Sequence, residues 1–354
     1  MSSTKINIFL TGATGYIGGS ILTSLLQHPN ASNFQITALI RGGDNERINK
    51  LKSLNVTPLI GSNESFEIIE KAARESHVVI HTSNSADDLP STKAIISGLN
   101  KRTNETGKPV IYIHTSGTGV LTEDVRGKKG SDIIYNDLNP DQINALPDQQ
   151  PHRDVDLVII KSADANPLLK SVIVFPPLIY GIGSGPFNQT TIQLPLLIRA
   201  ALKRHKAEMI GPGEATWNNV HIADLTDAFI LLFDQLVAAY GPDAKSNVQP
   251  SSYLTTGREG YYFAENGRHT WKQLSEKIGE VLLKKGVIKS AEVTSFPDDE
   301  VEDNLWGKES WYAVGSQSNS KADRLRKLGW KPHQRSLFDS VEEQVDALIN
   351  EKKH

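Results

Sequence analysis

Residues 11–18 read TGATGYIG, and they set the expectation for the first half of the chain. The stretch follows a short apolar run and opens an amphipathic one, so its glycines stand between a predicted strand and a predicted helix. Gly12 permits a tight turn, Gly15 lets the backbone approach a pyrophosphate, and Gly18 lets the helix pack on the strand. The free N–H groups at the start of that helix would face the phosphates. We therefore predict a dinucleotide-binding turn.

The end of the second predicted strand selects between the two nicotinamide dinucleotides. An acidic residue there accepts the ribose hydroxyls of NAD, whereas an arginine accommodates the 2′-phosphate of NADP. Arg41 stands at this position, and its guanidinium suits a phosphate. NADP(H) is therefore expected, and Asp44 keeps NAD open as an alternative. The cofactor contacts predicted around the turn and this strand end are Thr11, Gly12, Thr14, Gly15, Tyr16, Ile17, Gly18 and Arg41.

Short apolar runs alternate with longer amphipathic stretches through the first half of the chain, as is typical of a parallel sheet wound with helices. Strands are predicted at 5–10, 35–40, 56–60, 78–81, 110–115 and 170–175. Helices are predicted at 15–27, 45–54, 65–74, 89–104 and 152–163, and further on near 194–206, 224–239 and 270–285. The predicted fold class is α/β, a doubly wound parallel sheet of the Rossmann type with a smaller carboxy-terminal lobe that binds substrate.

The chain of 354 residues is too long for a typical single core, so two lobes are expected. We assign 1–175 to the dinucleotide-binding domain, and 215–262 contributes its last elements. The smaller, substrate-binding lobe then comprises 176–214 and 263–354. Residues 122–150 interrupt the alternation, and a loop of this length inside a compact domain is usually functional or disordered.

Composition excludes several classes of protein. The absence of cysteine rules out disulfides, thiolate catalysis and cysteine-ligated metal centres, and no metal site is predicted. The net charge of −3 argues against nucleic acid or an anionic membrane as the main partner. The amino-terminal stretch fits neither a secretory signal nor a membrane span. We expect a cytoplasmic monomer or homodimer whose partner is a small-molecule substrate.

Five segments carry a resemblance to a known family. They are TGATGYIG at 11–18, VVIHT at 78–82, IHTSG at 113–117, PPLIYG at 176–181 and NVHIADL at 219–225. Together they resemble the atypical and extended short-chain dehydrogenase/reductases of the NAD-dependent epimerase/dehydratase type. The resemblance extends to about residue 230, and it implies a nicotinamide cofactor and chemistry at a carbonyl or hydroxyl group.

The resemblance also implies roles for residues beyond the turn. Ser116 matches the family's serine that hydrogen-bonds the substrate oxygen. Thr82 and Ser83 lie where the end of the fourth strand contacts the cofactor in that family. The backbone from Pro176 to Leu178 lies where the nicotinamide carboxamide docks. These residues complete the predicted cofactor site.

The family's hallmark is a Tyr-x-x-x-Lys pair on the helix after the serine, in which the lysine lowers the tyrosine pKa. This sequence lacks the pair, since Tyr135 is the only tyrosine in that region and Asn139 follows it by four residues. Counting back from PPLIYG places His152 in the tyrosine slot and Asp156 in the lysine slot. Residues four apart share a helix face, so Asp156 would orient the His152 imidazole as a proton donor. The alternatives are Tyr135 as the acid, or helix capping and surface charge for this stretch.

Two functions of different classes fit these residues. The first is an NADP(H)-dependent oxidoreductase, or a redox-neutral isomerase or epimerase, which acts on a small carbonyl or hydroxyl compound with Ser116 and His152 at the oxygen. The second is a non-catalytic NAD(P)-binding regulator resembling the nitrogen-repression sensor proteins, which keep this fold and lose the catalytic pair. The missing Tyr-x-x-x-Lys favours the regulator, whereas Ser116 and a well-formed second lobe favour an enzyme.

Overall fold

The computed structural model describes residues 4–245 and 249–351. Its strands are β1 (Ile6–Thr11), β2 (Phe34–Ile40), β3 (Thr57–Ile60), β4 (Val78–His81), β5 (Val110–Thr115), β6 (Tyr135–Asn136), β7 (Leu169–Phe175), β8 (Leu178–Tyr180), β9 (Glu208–Met209), β10 (Thr216–His221), β11 (Tyr261–Phe263), β12 (Arg268–Thr270), β13 (Thr294–Ser295) and β14 (Ser320–Lys321). Its helices are α1 (Tyr16–Leu26), α2 (Asn45–Ser53), α3 (Phe66–Arg74), α4 (Leu89–Thr106), α5 (Pro140–Asn144), α6 (Arg153–Ala165), α7 (Gln193–Arg204), α8 (Ile222–Tyr240), α9 (Trp271–Lys284), α10 (Val301–Asn304), α11 (Glu309–Gly315), α12 (Asp323–Leu328) and α13 (Leu337–Glu351).

Within these residues the central sheet holds seven parallel strands in the order β11-β7-β5-β4-β1-β2-β3. The strands β1 to β5 and β7 are the six predicted from the sequence, each to within one residue at either end. Strand β5 is buried along its whole length, as expected for a strand covered by helices on both faces. The chain changes direction across the sheet between β1 and β4. The predicted doubly wound Rossmann fold is confirmed.

Helices cover the sheet in two layers. Helix α1 packs against α8, while α4 packs against both α3 and α6. The apolar residues of these helices and of the strands form one buried cluster, in which Phe9, Ile80 and Phe175 have almost no exposed surface. This rigid layer structure holds the carboxyl ends of β1, β4 and β5 side by side.

The second lobe is built around a separate apolar cluster. Helices α7, α9 and α13 pack together beside a small sheet of order β12-β10-β8. Trp217 and Trp271 lie in this cluster with their ring centroids 5.7 Å apart. Strand β10 pairs inside this small sheet, although Val220 near its end packs in the first cluster. The proposed boundary at residue 215 therefore stays a prediction.

Residues 122–150 are ordered and connect the two lobes. Strand β6 pairs in parallel with β14, and an isolated bridge joins Glu123 to Gln317. The buried carboxylate of Asp137 accepts the backbone N–H groups of Phe263 and Arg324. Residues 122–150 are therefore folded against other parts of the chain. Among the described residues, no helix has the length and apolar character that a membrane crossing needs.

Candidate active site

A cleft of about 850 Å³ opens at the carboxyl ends of β1, β4 and β5. In open α/β sheets ligands bind at this edge, where the strand order reverses. The turn from Gly15 to Gly18 lines one end of the cleft, and Ser116 and His152 line the other. Trp306, Glu309 and Tyr312 of the second lobe also line the cleft.

The three glycines of the turn have different tasks. A Cβ atom at Gly12 would lie 2.3 Å from the Thr82 hydroxyl oxygen, and Gly12 has a φ of 78°. A Cβ atom at Gly18 would lie 2.3 Å from the Gly12 carbonyl oxygen. A Cβ atom at Gly15 would meet only that carbonyl oxygen, at 3.2 Å. Gly12 and Gly18 are thus fixed by packing within the protein, whereas Gly15 keeps space open in front of the α1 amino terminus. This arrangement fits a pyrophosphate.

Several predicted cofactor residues support the turn rather than line the cleft. Thr11 Oγ1 accepts the backbone N–H groups of Thr82 at 3.1 Å and Ser83 at 3.3 Å, which ties the end of β1 to the end of β4. Of these three residues only Thr82 lines the cleft. The Thr14 carbonyl accepts the N–H of Asn188 at 3.3 Å. Thr14 therefore positions a neighbouring loop.

Other predicted residues face the cleft directly. Tyr16 and Ile17 line it, and the Tyr16 hydroxyl donates to the Gly181 carbonyl at 2.8 Å. Pro176 lines it as well, whereas the side chain of Leu178 is fully buried outside the cleft lining. The prediction for residues 176–178 is that their backbone docks the nicotinamide carboxamide. Burial of the Leu178 side chain does not affect that prediction.

Arg41 is exposed beyond the end of β2, outside the cleft lining. Asp44, the residue that kept NAD open, already has partners. Its carboxylate caps α2 by accepting the Arg47 N–H at 2.9 Å, and it pairs with the Arg47 side chain at 3.0 Å. Of Arg41 and Asp44, it is thus the exposed Arg41 guanidinium that is placed to bind a cofactor at the end of β2.

Ser116 and Asp156 form a buried pair. Ser116 Oγ donates to Asp156 Oδ2 at 3.2 Å, and the two residues are 5% and 0% exposed. Burial raises the pKa of the Asp156 carboxyl to about 7, against the opposing effects of His152 and of the Ser116 hydrogen bond. Both protonation states of Asp156 are therefore accessible near neutral pH.

The His152 imidazole does not pair with Asp156 as the sequence predicts. Its Nδ1 atom lies 2.6 Å from Asp87 Oδ1, and its Nε2 atom lies 3.0 Å from the Tyr312 hydroxyl. His152 precedes α6 as its N-cap and has a φ of 67°. The rule for residues four apart requires both to be helical, so it fails by a single residue at this helix start. The carboxylate that contacts His152 is that of Asp87, in the loop between β4 and α4.

Tyr312 lies on α11 and reaches His152 from the second lobe. Burial raises the pKa of the Tyr312 hydroxyl, and the carboxylates of Asp87 and Glu309 raise it further. This side chain is therefore a neutral O–H group at working pH. A Cβ atom at Gly119 would lie 1.6 Å from the Tyr312 hydroxyl oxygen and 2.7 Å from His152 Nε2. A glycine at 119 is what allows the two groups to meet.

Tyr135, the alternative acid, is placed elsewhere. It lies on β6, its N–H donates to the Asn319 carbonyl at 3.0 Å, and it is not among the residues that line the cleft. The sequence prediction missed Asp87, Gly119 and Tyr312. The one signal available is the pair of glycines at 117 and 119, which leaves space beside Ser116 for a side chain from elsewhere.

The fold is that of solved nucleotide-sugar epimerases and dehydratases, which confirms the predicted resemblance to the epimerase/dehydratase type. Residues 4–100 match the model of the NmrA-like family. A UDP-glucose 4-epimerase from Thermotoga maritima superposes with a TM-score of 0.63 at 16% identity, over 98% of this chain and 100% of that one. The dTDP-glucose 4,6-dehydratase DesIV from Streptomyces venezuelae, solved with NAD and TYD bound, gives 0.65 at 16% identity over 98% of each chain.

Relatives by sequence cover nearly the whole chain. The oxidase ucsJ from Acremonium sp is 28% identical over 330 residues, which are 92% of each chain. The uncharacterized protein C2A9.02 from Schizosaccharomyces pombe is 25% identical over 342 residues, 95% of this chain and 98% of that protein. The sequence match with these relatives therefore extends well beyond the part that the family model covers.

Proposed function

We propose that this chain is an NADP(H)-dependent oxidoreductase that acts on a small carbonyl or hydroxyl compound. The observation that carries the proposal is that one cleft joins the open Gly15 turn to Ser116 and His152. A protein that only senses a dinucleotide needs the first end of this cleft. The buried Ser116–Asp156 pair and the polar groups hydrogen-bonded around the His152 imidazole, at the other end, would bind an oxygen and exchange its proton.

Ser116 has a defined task in this proposal. When Asp156 is ionised, the Ser116 hydroxyl donates to it, as seen here, and its oxygen can accept a substrate hydroxyl. When Asp156 holds a proton, that proton can be donated to Ser116, whose own hydrogen is then free for a substrate carbonyl. The nicotinamide supplies or accepts the hydride in either direction. A redox-neutral isomerase or epimerase would use the same residues twice in one turnover.

The preference for NADP(H) rests on the end of β2. Arg41 is exposed and available, whereas Asp44 is engaged in capping α2 and in pairing with Arg47. A guanidinium binds a 2′-phosphate through charge-assisted hydrogen bonds. A carboxylate that already has two partners is a poorer acceptor for ribose hydroxyls.

The walls of the cleft indicate the class of substrate. Its described lining residues include the aromatic side chains of Trp217, Trp306 and Tyr312, and its carboxylates are those of Asp87 and Glu309. These lining residues contain no lysine or arginine, so a second phosphate-bearing ligand would lack a cationic partner. We propose an uncharged carbonyl compound with an apolar or aromatic body.

The test has two stages. Fluorescence titration with NADPH and NADH should show tighter binding of NADPH, and equal affinities would contradict the choice of cofactor. Oxidation of NADPH should then follow addition of phenanthrenequinone or benzaldehyde, and UDP-glucose serves as the charged comparison. Turnover of the charged compound alone would contradict the proposed substrate class.

The second candidate is the non-catalytic NAD(P)-binding regulator. The match of residues 4–100 to the NmrA-like family favours it, because that family includes proteins without catalysis. The missing Tyr-x-x-x-Lys pair points the same way. Tight binding of NADPH without oxidation of any carbonyl compound would favour this candidate over the oxidoreductase.

A further inference from the structure

We propose that Tyr312 of the second lobe is the catalytic proton donor and acceptor for the substrate oxygen, with His152 and Asp87 as its positioning residues. This inference rests on the proposed oxidoreductase function and adds the identity of the acid. It replaces the expected role of His152 as the group that touches the substrate. It also assigns a function to a residue that lies outside every sequence motif.

The hydrogen bonds of His152 exclude direct contact between its ring nitrogens and a substrate. Nδ1 is 2.6 Å from Asp87 and Nε2 is 3.0 Å from Tyr312, so both ring nitrogens have partners. The side chain of His152 is only 14% exposed. The next group along this chain of hydrogen bonds is the Tyr312 hydroxyl, and Tyr312 lines the cleft.

Gly119 provides an independent observation. A Cβ atom there would lie 1.6 Å from the Tyr312 hydroxyl oxygen, so any side chain would occupy the position of that oxygen. The φ of Gly119 lies outside the left-handed region, so backbone conformation does not demand a glycine. The absence of a side chain at 119 is explained by the approach of Tyr312 to His152.

The charged groups around His152 and Tyr312 determine which ring nitrogen of His152 donates to which partner. Asp87 accepts the Nδ1–H, which leaves Nε2 to exchange a proton with Tyr312. The other groups that influence the two rings are Asp156 and the buried His114 on the His152 side and Glu309 on the Tyr312 side. The Asp87 carboxylate thus fixes the orientation of the imidazole and leaves Nε2 as the atom that exchanges a proton with Tyr312.

The reaction balances with the groups named. In reduction, the carbonyl carbon would receive a hydride with its electron pair from a bound reduced nicotinamide dinucleotide, and the C=O π bond would break. The Tyr312 O–H proton passes to the carbonyl oxygen while the Nε2 proton of protonated His152 passes to the Tyr312 oxygen. His152 is left neutral with its Nδ1–H on Asp87. Oxidation of an alcohol is the reverse, and neutral His152 then accepts the proton through Tyr312.

The first test removes the hydroxyl alone. Tyr312→Phe should lower kcat for phenanthrenequinone by about 10² to 10⁴, the usual contribution of a positioned acid. Its affinity for NADPH should stay within about twofold of the parent, since Tyr312 makes no part of the turn. Tyr240→Phe, on α8 away from the cleft, is the matched control and should retain the parent kcat. Gly119→Ala keeps the hydroxyl but displaces it, and should also lower kcat.

The second test examines the positioning residues, first by NMR without turnover and then by kinetics. In the cofactor-free protein, ¹⁵N NMR of the His152 ring should show the Nε2 signal move in Tyr312→Phe and the Nδ1 signal move in Asp87→Asn. Asp87→Asn should lower kcat with little change in KM and alter the pH profile of kcat. A histidine with a purely structural role would leave that profile unchanged.

Two outcomes distinguish the failures. An active parent together with a Tyr312→Phe variant of equal kcat overturns the assignment of Tyr312 and leaves the oxidoreductase standing. A parent that binds NADPH but oxidises it with none of the carbonyl probes overturns the oxidoreductase, and the catalytic role of Tyr312 falls with it.

Discussion

The two ends of the cleft are built in different ways. The end proposed for the cofactor is built around consecutive residues, 11–18, and its geometry comes from the backbone of one turn. The end proposed for the substrate brings together Asp87, Ser116, His152 and Tyr312 from four separate segments and two lobes. A backbone turn leaves a spacing of glycines in the sequence, whereas a group of side chains assembled by the fold leaves none. The spacing of glycines therefore predicts the first end, whereas at the second end the sequence predicts Ser116 and His152 but misses Asp87 and Tyr312, the partners of His152.

The largest effect is expected at the cofactor end. Gly15→Val should abolish detectable binding of NADPH, because the new side chain fills the space in front of α1. Loss of two hydrogen bonds to the pyrophosphate, at about 1.5–3 kcal/mol each, corresponds to more than about a 100-fold weaker affinity. Isothermal titration calorimetry measures it.

The control for Gly15→Val is a measurement of whether the variant still folds. Gly15→Val should keep the parent circular dichroism spectrum and melting temperature, since a Cβ atom there has one contact, at 3.2 Å. Gly18→Ala should instead lower the free energy of unfolding by about 1–3 kcal/mol, the range for overpacking. Undiminished NADPH binding by Gly15→Val would show that the glycine turn is only structural.

The substrate end should behave as one unit. His152→Ala should lower kcat by about 10² to 10⁴ while NADPH affinity barely changes. The double variant His152→Ala with Tyr312→Phe should lose little more than either single variant, because residues that act together are not additive. Steady-state kinetics of the three variants measures this. Independent, multiplying losses would show that the two side chains serve separate steps.

A smaller effect is expected on stability, because the buried Asp156 carboxyl lowers the free energy of unfolding as pH rises. Its pKa is raised to about 7 in the folded chain, above its ordinary value of 3.8. The folded state therefore holds a proton that the unfolded state releases, and the free energy of unfolding falls as pH rises between these two values. Each pKa unit corresponds to about 1.4 kcal/mol. We expect Asp156→Asn to gain stability relative to the parent by a few kcal/mol across this range.

Urea unfolding at a series of pH values measures that difference. Asp137, whose pKa burial also raises to about 7, contributes equally to the parent and to the variant, so it cancels in the comparison. A constant difference between pH 4 and pH 7 would contradict the burial of an Asp156 carboxyl that holds its proton.

The smallest effect is expected for Arg41, and it tests the proposed preference for NADPH over NADH. Arg41→Ala should weaken NADPH binding by about 1–3 kcal/mol, the range for hydrogen bonds to a charged group. NADH lacks the 2′-phosphate, so its affinity should be unchanged and serves as the internal control. An equal loss of affinity for both cofactors would show that Arg41 contacts a part of the dinucleotide that NADPH and NADH have in common.

The sequence predicts the sheet closely because each strand is a buried apolar run with turn residues on both sides. Strands β4 and β5 are predicted to the residue. The short strand β11 is not predicted, since three aromatic residues carry no period. The helix after the long loop is predicted to begin at His152 and begins at Arg153 instead. That one residue places His152 outside the helix and gives it Asp87 as a partner instead of Asp156.

The hydrogen bond between Tyr312 and His152 joins the two lobes at the site itself. A cleft that opens to exchange its contents, as many enzymes do, would carry Tyr312 away with its lobe. The path by which a proton reaches the substrate would then be interrupted. Ligand entry and release would thereby be separated in time from proton transfer through Tyr312, and a reduced cofactor held in an open cleft would lack the Tyr312 hydroxyl beside it.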